Sequence, residues 1–227
     1  MQLIKNTKLF ENFMAMLVLQ VSNYVFPFLT IPYLSRTLST THYGVVLFAL
    51  SITSYLGLVC DYGVGLTATR DASKSRDNPA EINLLLSSVT VIKFLLFIVM
   101  FVGAILYILF NPYYRHDYII YCATFLSIIY NVFFPAWLFQ GLEKMRYITF
   151  VNVIMRLISV ALIFSCVHND SDYVLIPLLN LVPVMCGIIY IQYVLHKKLF
   201  ISYLVPNVSQ LLFQVRQGWH IFLSTII

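Results

Sequence analysis

Charged side chains are scarce in this chain of 227 residues, since 14 Lys and Arg and 9 Asp and Glu make up only 10% of it. A typical soluble domain contains about 25%. Hydrophobic residues account for 60% of the chain, so a soluble protein of this length would have too few polar groups to cover its surface. The composition therefore excludes a soluble globular domain, a disordered chain and a nucleic-acid-binding module, although the formal net charge is +5.

The patterns of common catalytic and metal sites are also missing from the sequence. The four cysteines lie in apolar stretches and form no C-x-x-C pair, and the five histidines are scattered along the chain. Neither arrangement has the ligand spacing of a metal site. The sequence contains no Walker-type phosphate loop, no nucleophile elbow and no paired catalytic carboxylate. We therefore predict that the chain is not an enzyme and that it binds no cofactor or metal.

Six apolar runs dominate the sequence, and each is long enough to cross a hydrocarbon core of about 30 Å. The runs are Phe13–Leu34, Tyr43–Gly65, Ser88–Phe110, Tyr118–Phe139, Tyr147–Val167 and Tyr173–Leu195. They are continuously apolar and lack the alternation of a transmembrane β-strand, so we expect helices. The predicted fold is all-α, a polytopic membrane helix bundle with six transmembrane helices.

The distribution of Lys and Arg predicts the orientation of the bundle, because cytoplasmic connections are enriched in these residues. A cytoplasmic N-terminus would place ten of them on the cytoplasmic side: Lys5, Lys8, Arg70, Lys74, Arg76, Lys144, Arg146, Lys197, Lys198 and Arg216. Only Arg36 and Arg115 would fall on the outer side. The sequence therefore predicts a multi-pass membrane protein with its N-terminus in the cytoplasm.

The segment after the sixth run predicts an amphipathic helix over Asn207–Gly218. Apolar residues recur there at helical spacing, namely Val208, Leu211, Leu212, Val215 and Trp219. Asn207 and Gln210 have the spacing of a capping box. Such a helix suits the cytoplasmic membrane interface, and an ordinary linker between helices is the alternative. We interpret Trp219–Ile227 as the start of a seventh span.

Three ionisable residues fall inside the apolar runs, where a charge is costly and usually faces a bundle interior or a wet cavity. Arg156 lies near the middle of the fifth run, whereas Lys93 and Asp61 lie near the cytoplasmic ends of the third and second runs. For Lys93 the alternative is snorkelling to the headgroups. For Asp61 it is an interface position paired with Arg70 or a neighbouring base. We predict that Arg156, Lys93 and Asp61 line a substrate-binding cavity.

A cationic cavity suits an anionic substrate, such as a phosphate or diphosphate headgroup. Arg156 would bind that group through charge-assisted hydrogen bonds, while the acyl part of the substrate stays in lipid. Prolines add a second clue, because they bend helices. The first run contains Pro27 and Pro32, and the sixth contains Pro177 and Pro183. Bent spans would suit a bundle that opens and closes, and static kinks that help packing are the alternative.

Five tracts of the chain, in their order and spacing, resemble the O-antigen (Wzx-type) flippases. These flippases form part of the polysaccharide transporter branch of the multidrug/oligosaccharidyl-lipid/polysaccharide exporter superfamily. The tracts are Asn23–Pro32 (NYVFPFLTIP), Tyr33–Gly44 (YLSRTLSTTHYG), Asp61–Asp71 (DYGVGLTATRD), Phe134–Met145 (FPAWLFQGLEKM) and Gly218–Ser224 (GWHIFLS). The resemblance covers essentially the whole chain. The tract around Trp137, Gln140, Gly141 and Glu143 is the most specific part of it.

The resemblance implies a bacterial inner-membrane protein built from two six-helix lobes that are related by a pseudo-two-fold axis. Such proteins move an undecaprenyl-diphosphate-linked oligosaccharide from the cytoplasmic to the periplasmic leaflet by alternating access. The implied partners are this lipid-diphosphate-linked oligosaccharide, the lipid bilayer, and the polymerase and chain-length regulator of the same pathway. No family binding site is carried over, because none matches this sequence residue by residue.

Compared with this family, the chain ends where a second lobe would begin. The predicted division is an N-terminal six-helix lobe at residues 1–195, a cytoplasmic or interfacial linker at 196–218, and the truncated start of the second lobe at 219–227. Alternating access between two lobes needs both of them. A truncated sequence is therefore favoured over the association of two copies.

Two other functions compete with that of a flippase. A cation-coupled small-molecule efflux antiporter of the same fold would need carboxylates inside the membrane, and Asp61 is the only candidate in the predicted runs. A glycan polymerase or ligase would need a sizeable outer loop, but the outer connections are short: Ser35–His42, Asn111–Asp117 and His168–Asp172. Transport of a lipid-linked oligosaccharide is the leading hypothesis.

Overall fold

The computed structural model describes the backbone of residues 2–226 and the side chains of residues 10–219. The elements of this range are all helical. The α-helices are α1 (Gln2–Thr37), α2 (Thr40–Asp61), α3 (Val64–Lys74), α4 (Pro79–Phe110), α5 (Pro112–Arg115), α6 (Tyr118–Leu126), α7 (Ile129–Phe133), α8 (Ala136–Gly141), α9 (Met145–Cys166), α10 (Leu175–Tyr193) and α11 (Val208–Ile226). A 3-10 turn precedes α10 and a π-helical turn follows it.

Six stretches of this chain are long and apolar enough to cross a membrane, which confirms the predicted all-α polytopic fold. They are Phe10–Thr37, Thr40–Asp61, Pro79–Phe110, Tyr118–Gly141, Met145–Cys166 and Asp170–Lys198. Large apolar side chains such as Phe28, Phe110 and Ile189 are strongly exposed on the outside of the bundle. In a membrane protein, lipid covers such surfaces.

The second span ends earlier than the predicted Gly65, because the chain turns sharply after Asp61. Tyr62 has φ 48° and Gly63 has φ 66°, so both residues adopt the left-handed conformation that ends a helix. The chain then starts the separate amphipathic helix α3 at Val64. The turn therefore places Asp61 at the junction of two helices rather than inside one.

The third span begins earlier than the predicted Ser88. Helix α4 starts at Pro79, with a proline in its first turn and Glu81 nearby, and both features favour a helix start. The helix has 32 residues, so Lys93 lies near its middle and not close to its end. Snorkelling was an alternative for Lys93 because the sequence placed it near the end of a span. Its position near the middle of α4 removes that reason.

The fourth span is interrupted, although its overall position agrees with the prediction. It consists of α6, α7 and α8, with a break between α7 and α8 at Phe134 and Pro135. Proline lacks an N–H group and forces the preceding residue out of the helical conformation. The Phe133 carbonyl accepts a hydrogen bond from the Gln192 side chain of α10 at 2.8 Å. Gln192 of α10 thus provides the Phe133 carbonyl with a hydrogen-bond donor that the interrupted helix does not provide.

The prolines of the first and sixth spans do not interrupt their helices. Helix α1 continues through Pro27 and Pro32, and α10 continues through Pro183. Pro177 lies in the first turn of α10, where a proline is readily accepted. The proline that coincides with a break is Pro135, which the sequence analysis did not single out.

Two main groups of buried apolar residues hold the bundle together, one near each end. The first lies among α3, the beginning of α4, α8, the beginning of α9 and the end of α10, and includes Leu86, Trp137 and Leu138. The second joins the other ends of these spans and includes Ala49, Ile120 and Val167. A third, smaller group lies between them along these helices and consists of Cys60, Phe97, Ile128 and Val132.

Helix α11 begins at Val208, one residue after the predicted start, and runs without a break beyond Gly218 to Ile226. The Gln210 side chain accepts a hydrogen bond from the Asn207 N–H at 2.9 Å, which is one of the two bonds of a capping box. The Asn207 side chain accepts from the Val208 N–H at 3.1 Å instead of from Gln210. Leu211 and Val215 pack against the first core group, while Val208, Leu212 and Trp219 are exposed. The predicted apolar face is therefore divided between the bundle and the outside. Of the predicted start of a seventh span at Trp219–Ile227, the side chains of residues 220–227 lie outside the described residues.

Candidate functional site

Lys93 and Asp61 form an ion pair inside the bundle, with 2.5 Å between Lys93 Nζ and Asp61 Oδ1. The Lys93 side chain is only 6% exposed, whereas the Asp61 side chain is 43% exposed. Lys93 therefore does not snorkel to the membrane surface. Asp61 is not paired with Arg70 either, because Arg70 instead contacts Asp71 at 3.2 Å.

The turn at Tyr62 and Gly63 determines where the Asp61 carboxylate lies. The carboxylate is beside the first turn of α3, since its Oδ2 atom would be 3.1 Å from a Cβ atom built on Gly65. The N-terminus of a helix carries a partial positive charge that stabilises a carboxylate. Asp61 is thus held between the start of α3 and the ammonium group of Lys93, and one side of it faces open space.

That open space is a cavity of about 320 Å³ between α2, α3, α4, α7, α8 and α9. Polar side chains from four helices form much of its wall: Thr69, Tyr130, Asn131, Gln140 and Asn152. Tyr130 donates a hydrogen bond to Asn152 at 3.3 Å. The cavity therefore offers hydroxyl and amide groups beside a half-exposed carboxylate.

Arg156 lies one helical turn beyond Asn152 on α9 and does not line this cavity. It is close enough to the Tyr130 phenol to interact with it electrostatically. Ser159, a further turn along, donates to Asn180 of α10 at 2.8 Å. Asn152, Arg156 and Ser159 are spaced four and three residues apart and so share one face of α9. A polar stripe therefore continues from the cavity along α9.

The net charge of this region depends on which of the residues Arg156, Lys93 and Asp61 pair with each other. Asp61 compensates the charge of Lys93, so the pair contributes no net charge. Arg156 forms no ion pair with the described side chains of residues 10–219. The positive charge available to a ligand in this part of the bundle is therefore that of Arg156.

Sequence reasoning missed the neutral polar residues of the region. Tyr130 and Asn131 lie on the short helix α7, whose break from α8 was not predicted. Asn152 and Ser159 carried a usable signal, because they stand at helical spacing from Arg156 in an otherwise apolar segment. The sequence predicted that Lys93 and Asp61 line one cavity, but no pattern indicated that these two residues, 32 apart in the chain, would form an ion pair.

The tract Phe134–Met145 forms one wall of the cavity and fixes its shape. Helix α8 packs so closely on α3 that a Cβ atom on Gly141 would be 2.7 Å from Ala72 Cβ and 2.8 Å from the Thr69 carbonyl oxygen. Arg76 donates to the Gly141 carbonyl at 2.9 Å. Asn12 of α1 donates to the Glu143 carbonyl at 3.0 Å. Hydrogen bonds at these two carbonyl groups therefore join the tract to Arg76 and to α1.

Among the described residues, no three His, Cys, Asp or Glu side chains come together in an arrangement that would hold a metal ion. What the region provides is hydrogen-bonding groups, a paired carboxylate and one uncompensated guanidinium group. Such a set can bind a polar ligand with an anionic part.

Comparison with known proteins agrees with this picture of a membrane protein. The family model described as "Polysaccharide biosynthesis protein" matches residues 9–227. A protein of Escherichia coli (strain K12) named "Putative O-antigen transporter" is 29% identical over 216 residues, which are 95% of this chain and 52% of that protein. A protein of the same name from Shigella dysenteriae is 28% identical over 218 residues, which are 94% of this chain and 54% of that protein.

The chain spans about half the length of these curated relatives. No solved structure matches it at a significant level.

Proposed function

Because the chain belongs to the polysaccharide biosynthesis protein family, we propose that it is part of a flippase for lipid-linked oligosaccharides. In this proposal the substrate is an undecaprenyl-diphosphate-linked O-antigen unit or a similar repeat unit. The protein moves its headgroup from the cytoplasmic to the periplasmic leaflet of the bacterial inner membrane. The names of the two relatives support transport of O-antigen.

The observation that carries the proposal is Arg156, which is uncompensated and continues a polar stripe that starts at the Asp61 cavity. A guanidinium group in the middle of a membrane span is expensive unless it meets water or an anion. A diphosphate offers the paired oxygen atoms that a guanidinium group binds best. The hydroxyl and amide groups of Tyr130, Asn131 and Asn152 are suited to sugar hydroxyls, which both donate and accept hydrogen bonds.

The Asp61–Lys93 pair has a different role in this proposal. Because the Lys93 ammonium group is buried and compensated by Asp61, the pair does not attract the diphosphate, and the half-exposed carboxylate accepts hydrogen bonds from sugar hydroxyls. Alternating access is proposed for the whole transporter, of which this chain spans about half by comparison with its relatives. The second half of the pathway would then be supplied by a further lobe.

Replacing Arg156 tests this function in cells. In a strain that makes its surface polysaccharide through the intact gene, Arg156→Ala should lower export about ten- to a hundredfold, the loss expected for one charge-assisted hydrogen-bonded contact. Lipid-linked repeat units should accumulate in the cytoplasmic leaflet. Arg156→Lys should retain part of the activity, because it keeps the charge but not the bidentate geometry.

Arg115→Ala is the matched control, since Arg115 is exposed on the short connection between α4 and α6 and does not line the Asp61 cavity. Protein amount in the membrane is measured for every variant. Undiminished surface polysaccharide in Arg156→Ala at normal protein amount would remove Arg156 from the mechanism.

Cation-coupled efflux of small molecules by the same fold is the second candidate, and one observation favours it. The Asp61 carboxylate is 43% exposed toward the cavity and has a buried lysine as its partner, so a cation could compete with that lysine. Export of a small-molecule dye by the intact protein, driven by a cation gradient and lost in Asp61→Asn, would support this alternative. Export of lipid-linked units without any such dye export would support the flippase.

A further inference from the structure

We propose that the cleft between α1 and α9, at the end of the bundle rich in Lys and Arg, binds an anionic phospholipid. The occupant is a lipid with one phosphate and an uncharged alcohol headgroup, such as phosphatidylglycerol. The cleft shares no lining residue with the Asp61 cavity. The inference therefore does not depend on the proposed transport function.

The deeper part of the cleft is an apolar groove of about 550 Å³. Met14, Ala15 and Val18 of α1 form one side, and Phe150, Val153 and Ile154 of α9 form the other. Between Arg146 and Ile154 the groove follows α9 for about 12 Å. It is open to the outside of the bundle along this length, so an acyl chain can lie in it without entering the protein core.

The floor of the groove is fixed, which makes it a formed feature rather than a gap between loose helices. Thr149 of α9 donates a hydrogen bond to the Ala15 carbonyl of α1 at 2.8 Å. Both residues are buried. A hydroxyl-to-carbonyl bond beside a small residue is a common way to join two helices closely in a membrane.

The mouth of the cleft is polar and has a volume of about 720 Å³. Arg76, Lys144 and Arg146 line it, together with the carboxylates Glu11 and Glu143. The groove and the mouth share Glu11, Arg146 and Phe150, so they form one continuous surface. Arg76 is paired with Glu143 at 3.1 Å, and the formal charges of the five charged side chains that line the mouth sum to about +1, directly next to the apolar groove.

Arg146 is the residue placed to bind a phosphate group at this junction. It is paired with Glu11 at 2.5 Å, yet its side chain remains 64% exposed. A guanidinium group has five N–H donors, and one carboxylate leaves several of them free. Basic pockets between transmembrane helices on the cytoplasmic side are typical sites for anionic lipid headgroups. Charge and shape together therefore favour an anionic phospholipid over a zwitterionic one.

Lipid retention on the purified protein tests this proposal. The protein is reconstituted in vesicles of equal parts phosphatidylglycerol and phosphatidylcholine, extracted in mild detergent, and analysed by native mass spectrometry. We expect phosphatidylglycerol to be retained about fivefold over phosphatidylcholine, the preference expected of one additional basic contact. Arg146→Ala should remove that preference, and Glu11→Gln should increase it because it releases Arg146 from its partner.

Lys197→Ala is the matched control, because it removes one exposed positive charge from the same end of the bundle without touching the cleft. Its lipid preference should equal that of the original protein. Val153→Trp fills the groove without changing any charge and should also lower retention. Melting temperatures of all variants show that the fold is kept.

Three results would overturn the proposal. Equal retention of the two lipids would mean that the cleft does not recognise charge. An equal loss in Lys197→Ala and Arg146→Ala would mean that the attraction is diffuse. Displacement of phosphatidylglycerol by undecaprenyl diphosphate at equal concentration would identify the occupant as the lipid carrier and not a phospholipid.

Discussion

Lys93 is the residue whose environment changes most when the helices come together. On helix α4 alone its ammonium group would face lipid, and in the bundle it is buried with the Asp61 carboxylate as its partner. A buried charge is stable only when a partner and hydrogen bonds compensate the loss of hydration. The ion pair is thus a condition for packing α4 against the turn that follows α2.

Asp61→Asn should therefore destabilise the protein by about 1–3 kcal/mol, because it leaves the Lys93 charge buried without a compensating carboxylate. The cost is limited because Asp61 is partly open to the cavity and water can replace it. Lys93→Met should cost less, since Asp61 is 43% exposed and becomes hydrated. The apparent melting temperature in detergent measures both effects.

The double variant Asp61→Asn with Lys93→Met is the decisive comparison. It removes both charges, so it should be more stable than Asp61→Asn alone. If the double variant were the least stable of the three, the ion pair would not be the reason for the loss.

The elements that shape the candidate site are the two irregular ones, the turn after α2 and the break before α8. Helix α8 has six residues, which is too short to be stable without tertiary contacts. Its position depends on close packing against α3, and Gly141 is where the two helices touch. Any side chain at this position would meet backbone atoms that cannot move aside.

Gly141→Ala should lower stability by about 1–3 kcal/mol through overpacking, because a Cβ atom there would lie 2.8 Å from the Thr69 carbonyl oxygen. Displacement of α8 should also change the cavity wall and reduce export. Gly103→Ala on α4 is the control, since its Cβ atom would have nothing within 4 Å. That change should be neutral or slightly stabilising, because alanine favours helix more than glycine does. Equal melting temperatures of the two variants would contradict the role of Gly141.

At the scale of the whole molecule, the basic residues collect at one end of the bundle. Arg76, Lys144 and Arg146 line a single cleft there, and Arg76 also binds the end of α8. Arg146 is also paired with Glu11 of α1, and the positive-inside rule predicts that this end of the bundle faces the cytoplasm.

The orientation is testable by cysteine labelling. In a variant without its own cysteines, Arg115→Cys should react with a membrane-impermeant thiol reagent in spheroplasts with an intact inner membrane. Lys197→Cys should react only after the membrane has been permeabilised, because the basic end is expected in the cytoplasm. Both positions are exposed in the structure, so burial does not protect either. The opposite labelling pattern would reverse the predicted topology.

The sequence by itself determined the class of the molecule. Scarce charge and six long apolar runs favour insertion into a membrane. A span in lipid must satisfy its own backbone groups, which favours a helix. For this reason the all-α bundle and the approximate positions of its six spans were predictable. Arg156 was singled out from sequence because a guanidinium group in an apolar run is unusual wherever the run lies, and its part in binding a substrate stays a prediction.

Only the tertiary structure decided which of these residues are in contact and what net charge they carry together. The pairing of Lys93 with Asp61 depends on where α2 ends, and that end is fixed by a left-handed turn at Tyr62 and Gly63. The cavity beside them depends on the break at Pro135 and on the contact of Gly141 with α3. These features arise from contacts between residues distant in the chain, which hydrophobicity and periodicity along a single segment do not encode.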